Sequence, residues 1–144
     1  MSRCRIRKMT ARDCDAVLAF WHDIRGIGLD DDCDSPRGLR QYLKRNPGLS
    51  FVAYDEDSIV GAVLSGHDGR RGYLHHLAVA PSHRKLGIGK ALVARCFQSL
   101  AKQHIPKCNI FLFRSNAAGR AFWLQTGWNL RGDLSLLQKN TCRS

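Results

Sequence analysis

The stretch Leu77-Ala78-Val79-Ala80-Pro81-Ser82-His83-Arg84-Lys85-Leu86-Gly87-Ile88-Gly89-Lys90-Ala91 constrains the fold more than any other part of the chain. A strand signal from Tyr73 to Val79 ends at Pro81, a basic loop with spaced glycines follows, and a long amphipathic helix begins. That helix, read from Gly87 to His104, carries Leu92, Val93, Cys96, Phe97, Leu100 and Ala101 as one apolar stripe. Its N-terminus offers free N–H groups and the positive end of the helix dipole. Glycine lets the backbone approach an anion closely. Strand, loop and helix together describe a phosphate-binding turn.

Elimination narrows the kind of turn. A Walker loop needs GxxxxGK followed by Ser or Thr, but Gly89-Lys90 is followed by Ala91 and no glycine stands five residues before Gly89. A dinucleotide fingerprint needs a third Gly or Ala, and Leu92 stands there. Lys and Arg number 23 against 12 Asp and Glu, a formal charge of +11, which favours an anionic partner. No apolar run approaches the roughly 20 residues of a membrane span. The start of the chain, Met1 to Lys8, is basic with no apolar stretch behind it, so a cytoplasmic protein without a signal peptide is expected.

The chain is 144 residues long, a size suited to a single domain over 1–144. Arg5 to Lys8 reads as an edge strand and Asp13 to Trp21 as a helix. Ser35-Pro36 reads as an N-cap opening a second helix that Asn46-Pro47-Gly48 stops. Phe51 to Tyr54, Ile59 to Leu64 and Tyr73 to Val79 read as an antiparallel meander. Ile110 to Phe113 reads as a buried strand, Ala117 to Thr126 as a helix closed by Gly127, and 128–137 as a hairpin around Gly132-Asp133. The expected class is α/β (α+β): a mixed, mostly antiparallel central sheet flanked by about four helices. Six cysteines, at 4, 14, 33, 96, 108 and 142, show no CxxC and no Cys–His spacing for zinc. Reduced thiols are expected, with Cys96 and Cys108 as small core residues, and no metal.

Arg84-x-x-Gly87-x-Gly89, preceded by Leu-Ala-Val-x-Pro, resembles the acetyl-CoA pyrophosphate loop of the GNAT N-acetyltransferases. Downstream, Asn116, Ala121-Phe122-Trp123 and Gly127-Trp128 resemble the family's Asn…Phe-Tyr…Gly-Phe segment. Within the family the chain is similar to the small stand-alone bacterial YpeA-like group. The resemblance implies acetyl-CoA as co-substrate and an amine, small molecule or peptide, as acceptor. It is compatible with a homodimer and implies neither nucleic acid nor membrane as partner.

Roles follow by position from that resemblance. The backbone of Leu77, Ala78 and Val79 would pair with the pantetheine arm, the Leu77 N–H facing the thioester carbonyl. Amides of Arg84, Lys85, Leu86, Gly87, Ile88, Gly89 and Lys90 would hold the pyrophosphate. Asn116 is a cofactor contact or a helix N-cap, and Phe122 and Trp123 are pantetheine contacts or core. The family's usual Glu on the fourth strand is Tyr73 here, and its usual Tyr acid is Trp123, whose indole donates a hydrogen bond but gives up no proton. Strict alternation places His75 on one face with Tyr73, Leu77 and Val79, and His76 on the other. His75 and Tyr73 are therefore the candidate bases, or else strand residues held in the core. Asp30, Asp31, Asp32 and Asp34 would attract a cationic acceptor or form a solvated loop. Asp68 would contact the acceptor or shape a turn. A non-catalytic coenzyme A-binding module, a basic nucleic-acid-binding protein and a structural partner domain are the competing readings.

Overall fold

A computed structural model describes residues 4–142; Met1–Arg3, from the basic start of the chain, and residues 143–144 lie outside the described residues. The chain forms two compact units, residues 1–111 and 112–144. Among the described residues, no helix is long and apolar enough to cross a membrane.

In the first unit β1 (Cys4–Lys8), β2 (Phe51–Asp55), β3 (Ser58–His67), β4 (Arg71–Val79) and β5 (Lys107–Ile110) form one sheet in chain order. Neighbours from β1 to β4 are antiparallel, and β4 and β5 are parallel. A parallel pair needs a crossover, and α3 (Ile88–Lys102) supplies it. The expected mixed, mostly antiparallel sheet is the one observed.

Helices α1 (Cys14–His22) and α2 (Pro36–Arg45) cover one face. Cys14, Val17, Leu18 and Trp21 recur at helical spacing and are buried with Met9, Leu39, Val52, Ala62, Leu64 and Ala78. The α2 start is set locally: Ser35 Oγ accepts the Gly38 N–H at 3.0 Å, and Pro36 occupies the first turn. The other face takes α3 through Ile88, Leu92, Cys96 and Leu100. Glycines let it come close, since a Cβ at Gly61 would stand 3.0 Å from Leu92 Cδ1 and one at Gly72 2.8 Å from Leu100 Cδ1. This stripe is narrower than expected. Phe97 is 44% exposed and Ala101 is exposed, because each lies one residue beyond the line through Leu92, Cys96 and Leu100.

Asp13 ties β1, β2 and the start of α1 together. Its carboxylate accepts both Arg7 guanidinium nitrogens at 2.8 Å, the Thr10 N–H at 2.8 Å and the Tyr54 hydroxyl at 3.1 Å. Burial alone would raise its pKa, but the Arg7 and Thr10 hydrogen bonds outweigh that and hold it at about 2.

In the second unit α4 (Ala117–Gln125) is capped by Asn116, whose Oδ1 accepts the Gly119 N–H at 2.8 Å. Gly127, at φ +97°, ends it. Trp123 is buried and packs edge to face with Phe122 and Trp128, ring centroids 5.0 and 4.9 Å away. Two expectations need correcting. The apolar strand expected at Ile110–Phe113 is instead Lys107–Ile110, with Phe111 and Phe113 more than half exposed. The terminal hairpin forms only its turn, where Arg131 and Asp133 pair at 2.9 Å; the flanking segments form no strand, and Leu130, Leu134, Leu136 and Leu137 are exposed. A two-stranded ribbon without a sheet to join is marginal in water.

Candidate active site

The β4 strand is irregular where the sequence placed the chemistry. Leu64 opposes His75 and Ala62 opposes Ala78, so Val63 faces two residues, His76 and Leu77. His76 takes up the extra length in a left-handed conformation, φ +57°. The β4–β5 ladder stops at Leu74 and Ile110, so from His75 to Val79 the strand pairs only with β3. The unpaired edge leads directly into the loop before α3. An edge of this kind can hydrogen-bond an added extended ligand.

The bulge corrects the expected alternation. His75 does share a face with Tyr73, their rings stacked at 6.3 Å and 11°. His76 turns to that same side: its ring meets Trp21 at 5.0 Å, and its Nε2 lies 3.1 Å from both Asp34 carboxylate oxygens. Ala78 belongs to the core under α1 and α2, so alternation sends Leu77 and Val79 to the opposite face from His75. One inserted residue inverts every side chain beyond it.

His75 lies within an aromatic group that sequence reasoning did not assemble. Phe111 stacks on Tyr73 at 6.0 Å and on His75 at 6.2 Å, and Tyr42 meets His75 edge-on at 6.1 Å. Tyr42 stands three residues after buried Leu39 on α2, a spacing that could have revealed it. Among the described residues, the His75 imidazole has no hydrogen-bond partner. Burial lowers its pKa below 6.5, and the neighbouring His76 adds to this against the opposing pull of Asp34. The ring is therefore neutral at pH 7 and able to accept a proton. Burial pushes Tyr42 up to about 12, leaving it a hydrogen-bond donor.

The loop has the geometry of an anion cradle. Lys85 and Gly87 both lie at positive φ, +63° and +84°. Ala91 makes the first helical bond, to Gly87 O at 3.0 Å, and no side chain caps the start of α3. The N–H groups of Ile88, Gly89 and Lys90 thus have no partner within the helix. Arg84 Nε donates to Val79 O at 3.1 Å, fixing the loop to the end of β4, while Lys85, Leu86 and Lys90 are exposed and Ile88 is buried beneath.

Of the aspartates expected near an acceptor, Asp30, Asp34 and Asp68 have local partners for their carboxylates. Asp34 accepts the Asp30 N–H as well as pairing with His76, and Asp30 accepts the Asp32 N–H. Burial pushes Asp34 up, but His76 and Asp30 bring its pKa below the usual value. Asp68 accepts the Arg70 and Arg71 N–H groups, the turn role. A separate hollow of about 370 Å³ is lined by Ala16, Ala19, Phe20, Asp23, Tyr54, Asp57, Ser58 and Ile59. In the second unit, Asn116 Oδ1 serves α4 as its cap and Trp123 serves as core, while Phe122 is half-buried.

Comparison with known proteins gives this arrangement its context. The sequence profile of the acetyltransferase (GNAT) family matches residues 15–128. An acetyltransferase of Sodalis glossinidius is 28% identical over 136 residues, covering 93% of each chain. Another, from Photorhabdus laumondii, is 31% identical over 115 residues, covering 78% of each. The structure is similar to diaminobutyrate acetyltransferase from Paenibacillus lautus, solved in complex with L-2,4-diaminobutyric acid and coenzyme A. That match has 25% identity and a TM-score of 0.74, over 88% of this chain and 75% of the other. An N-acetyltransferase from Thermoplasma acidophilum, solved with coenzyme A, shares the fold at 20% identity and TM-score 0.76, over 91% and 92% of the two chains. The uncapped loop beside a bulged, half-paired strand is thus set in a matching profile and a matching fold, and the chain belongs to the acetyltransferase (GNAT) family of acyl-CoA-dependent N-acetyltransferases.

Proposed function

We propose that residues 1–144 act as one domain that transfers an acetyl group from acetyl-CoA to a primary amine by direct attack. The observation that carries this reading is the uncapped start of α3, with Gly87 at φ +84°, beside the half-paired end of β4. The amides from Arg84 to Lys90 hold the pyrophosphate, with Lys85 and Lys90 adding positive charge. The backbone of Leu77, Ala78 and Val79 lies along the pantetheine arm, and the Leu77 N–H donates to the thioester oxygen as it gains charge.

An alkyl ammonium has a pKa of about 10.4, so its proton must leave before it attacks. His75, neutral and without a hydrogen-bond partner, takes that proton directly or through water. Tyr73 stacks on the ring and orients it. The amine nitrogen then bonds to the thioester carbon, the carbon–sulfur bond breaks, coenzyme A departs as thiolate, and the surplus proton on nitrogen passes to that thiolate or to solvent to leave a neutral amide. Trp123 offers no proton for this step. The acceptor approaches the face formed by Tyr42, Tyr73, His75 and Phe111.

Thermal unfolding with and without acetyl-CoA tests the cofactor site. At a concentration about 100 times Kd, acetyl-CoA should stabilise the fold by about 2.7 kcal/mol. The variant Gly89→Trp, which fills the loop, should melt without responding. No shift at millimolar acetyl-CoA in the wild type refutes the reading. Where the shift appears, release of coenzyme A thiol across a panel of amines identifies the acceptor.

A further inference from the structure

No Cys–His spacing in the sequence marks a metal site, but the fold assembles one set of donors from three separated segments. Cys4 opens β1, Asp55 closes β2 directly opposite it, and His83 ends the short 3-10 turn Pro81–His83. One ligating atom from each lies within 4.8 Å of the others. His83 Nε2 and Asp55 Oδ2 are 2.7 Å apart, with side chains 22% and 33% exposed. On the far side of the imidazole, Ser82 Oγ lies 2.7 Å from Nδ1.

We propose that Cys4, Asp55 and His83 form a binding site for a divalent transition-metal ion of the zinc class. A thiolate, an imidazole and a carboxylate are the donors zinc prefers, and three protein ligands leave a fourth position for water. Tetrahedral zinc with bonds of about 2.0–2.3 Å holds its ligand atoms about 3.3–3.8 Å apart. The His83–Asp55 contact must open slightly and the thiol must close in. Rotation of three partly exposed side chains achieves this without moving the strands. The metal replaces the proton now shared by His83 and Asp55. Ser82 then accepts from Nδ1–H and holds the tautomer that leaves Nε2 free to ligate, as an outer partner of a metal-bound histidine does. Because Arg84 follows His83, the ion pins the root of the Arg84–Lys90 loop to the edge of the sheet. The site is separate from the His75 face and independent of the proposed acetyl transfer.

The test uses the full chain, untagged and stripped with chelator, titrated with Co²⁺ and then Zn²⁺. One equivalent of Co²⁺ should bind with a thiolate-to-cobalt charge-transfer band that Zn²⁺ abolishes, and Zn²⁺ should raise the thermal midpoint. Cys4→Ser should remove the band. Asp55→Asn and His83→Gln should each weaken zinc binding by at least about tenfold, and Ser82→Ala by about tenfold. Cys142→Ser, which alters an exposed thiol, should bind as the wild type does. Melting without metal shows whether each variant is folded, and the exposed Ser82→Ala provides a readout should a ligand variant unfold. Absence of stoichiometric binding at micromolar zinc overturns the proposal, as does binding that survives in both Cys4→Ser and His83→Gln.

Discussion

Replacing Asp13 by Asn should destabilise the first unit by an amount that depends on pH in a definite way. The carboxylate is buried and accepts five hydrogen bonds: two from Arg7, two from Thr10 through its N–H and its hydroxyl, and one from Tyr54. Its pKa is about 2 in the fold against 3.8 in the reference state, a difference of nearly two units. Each unit is worth about 1.4 kcal/mol. Arg7 is half exposed, which screens part of its attraction, so roughly 2 kcal/mol is expected at pH 7. The folded value lies below the unfolded one. The contribution is therefore complete above about pH 5, falls to roughly half at pH 3 and disappears below about pH 2. Urea unfolding of wild type and Asp13→Asn at pH 7, 4 and 3 measures this directly. The gap in stability should narrow as pH falls, and the wild-type Asp13 side-chain carbon should titrate near pH 2 by NMR. An equal loss at all three pH values would mean that shape rather than charge is lost, and a loss under about 0.5 kcal/mol at pH 7 would refute the argument.

Other expectations can be checked as simply. His75→Gln should lower kcat by about 10²–10⁴-fold while leaving KM for acetyl-CoA nearly unchanged, in a thiol-release assay. In the wild type the acidic limb of the rate profile should fall below pH 6.5, because burial lowers the His75 pKa and only the neutral ring accepts a proton. A wild-type limb at pH 8, or one unchanged in His75→Gln, removes His75 from that role. Gly66→Ala should cost about 1–3 kcal/mol by denaturant unfolding, since the new Cβ would lie 2.6 Å from Tyr42 Cζ and 2.7 Å from Asn46 Cγ. Asn116→Ala should cost about 1 kcal/mol of α4 stability, read as faster amide exchange in its first turn, through loss of the bond to the Gly119 N–H.

What could be read in the sequence is what consecutive residues decide. Ser35-Pro36 at the α2 start, Asn116 at α4, Gly127 after it and the Gly87 loop are local motifs, and each occurs where its residues require. Even the Gly132-Asp133 turn was legible, but its strands were not, because a strand exists only with a partner to pair with. Register is a property of two segments at once. The bulge opposite Val63 leaves no mark in the run Tyr73-Leu74-His75-His76-Leu77, which alternation reads as one regular strand. Over two residues alternation holds, and His75 does lie beside Tyr73. Across His76 it fails, so Leu77 and Val79 leave that face and His76 joins it, against Trp21 and Asp34. The same irregularity explains why β5 ends at Ile110. Past Leu74 the bulged strand no longer offers a ladder, and Phe111 turns instead onto the rings of Tyr73 and His75. The bulge thus leaves unpaired the edge on which the acyl donor is proposed to lie and gathers aromatic rings around the candidate base. Straightening it by deleting Leu77 would restore the ladder and abolish both, so such a variant should stay folded yet lose the thermal response to acetyl-CoA.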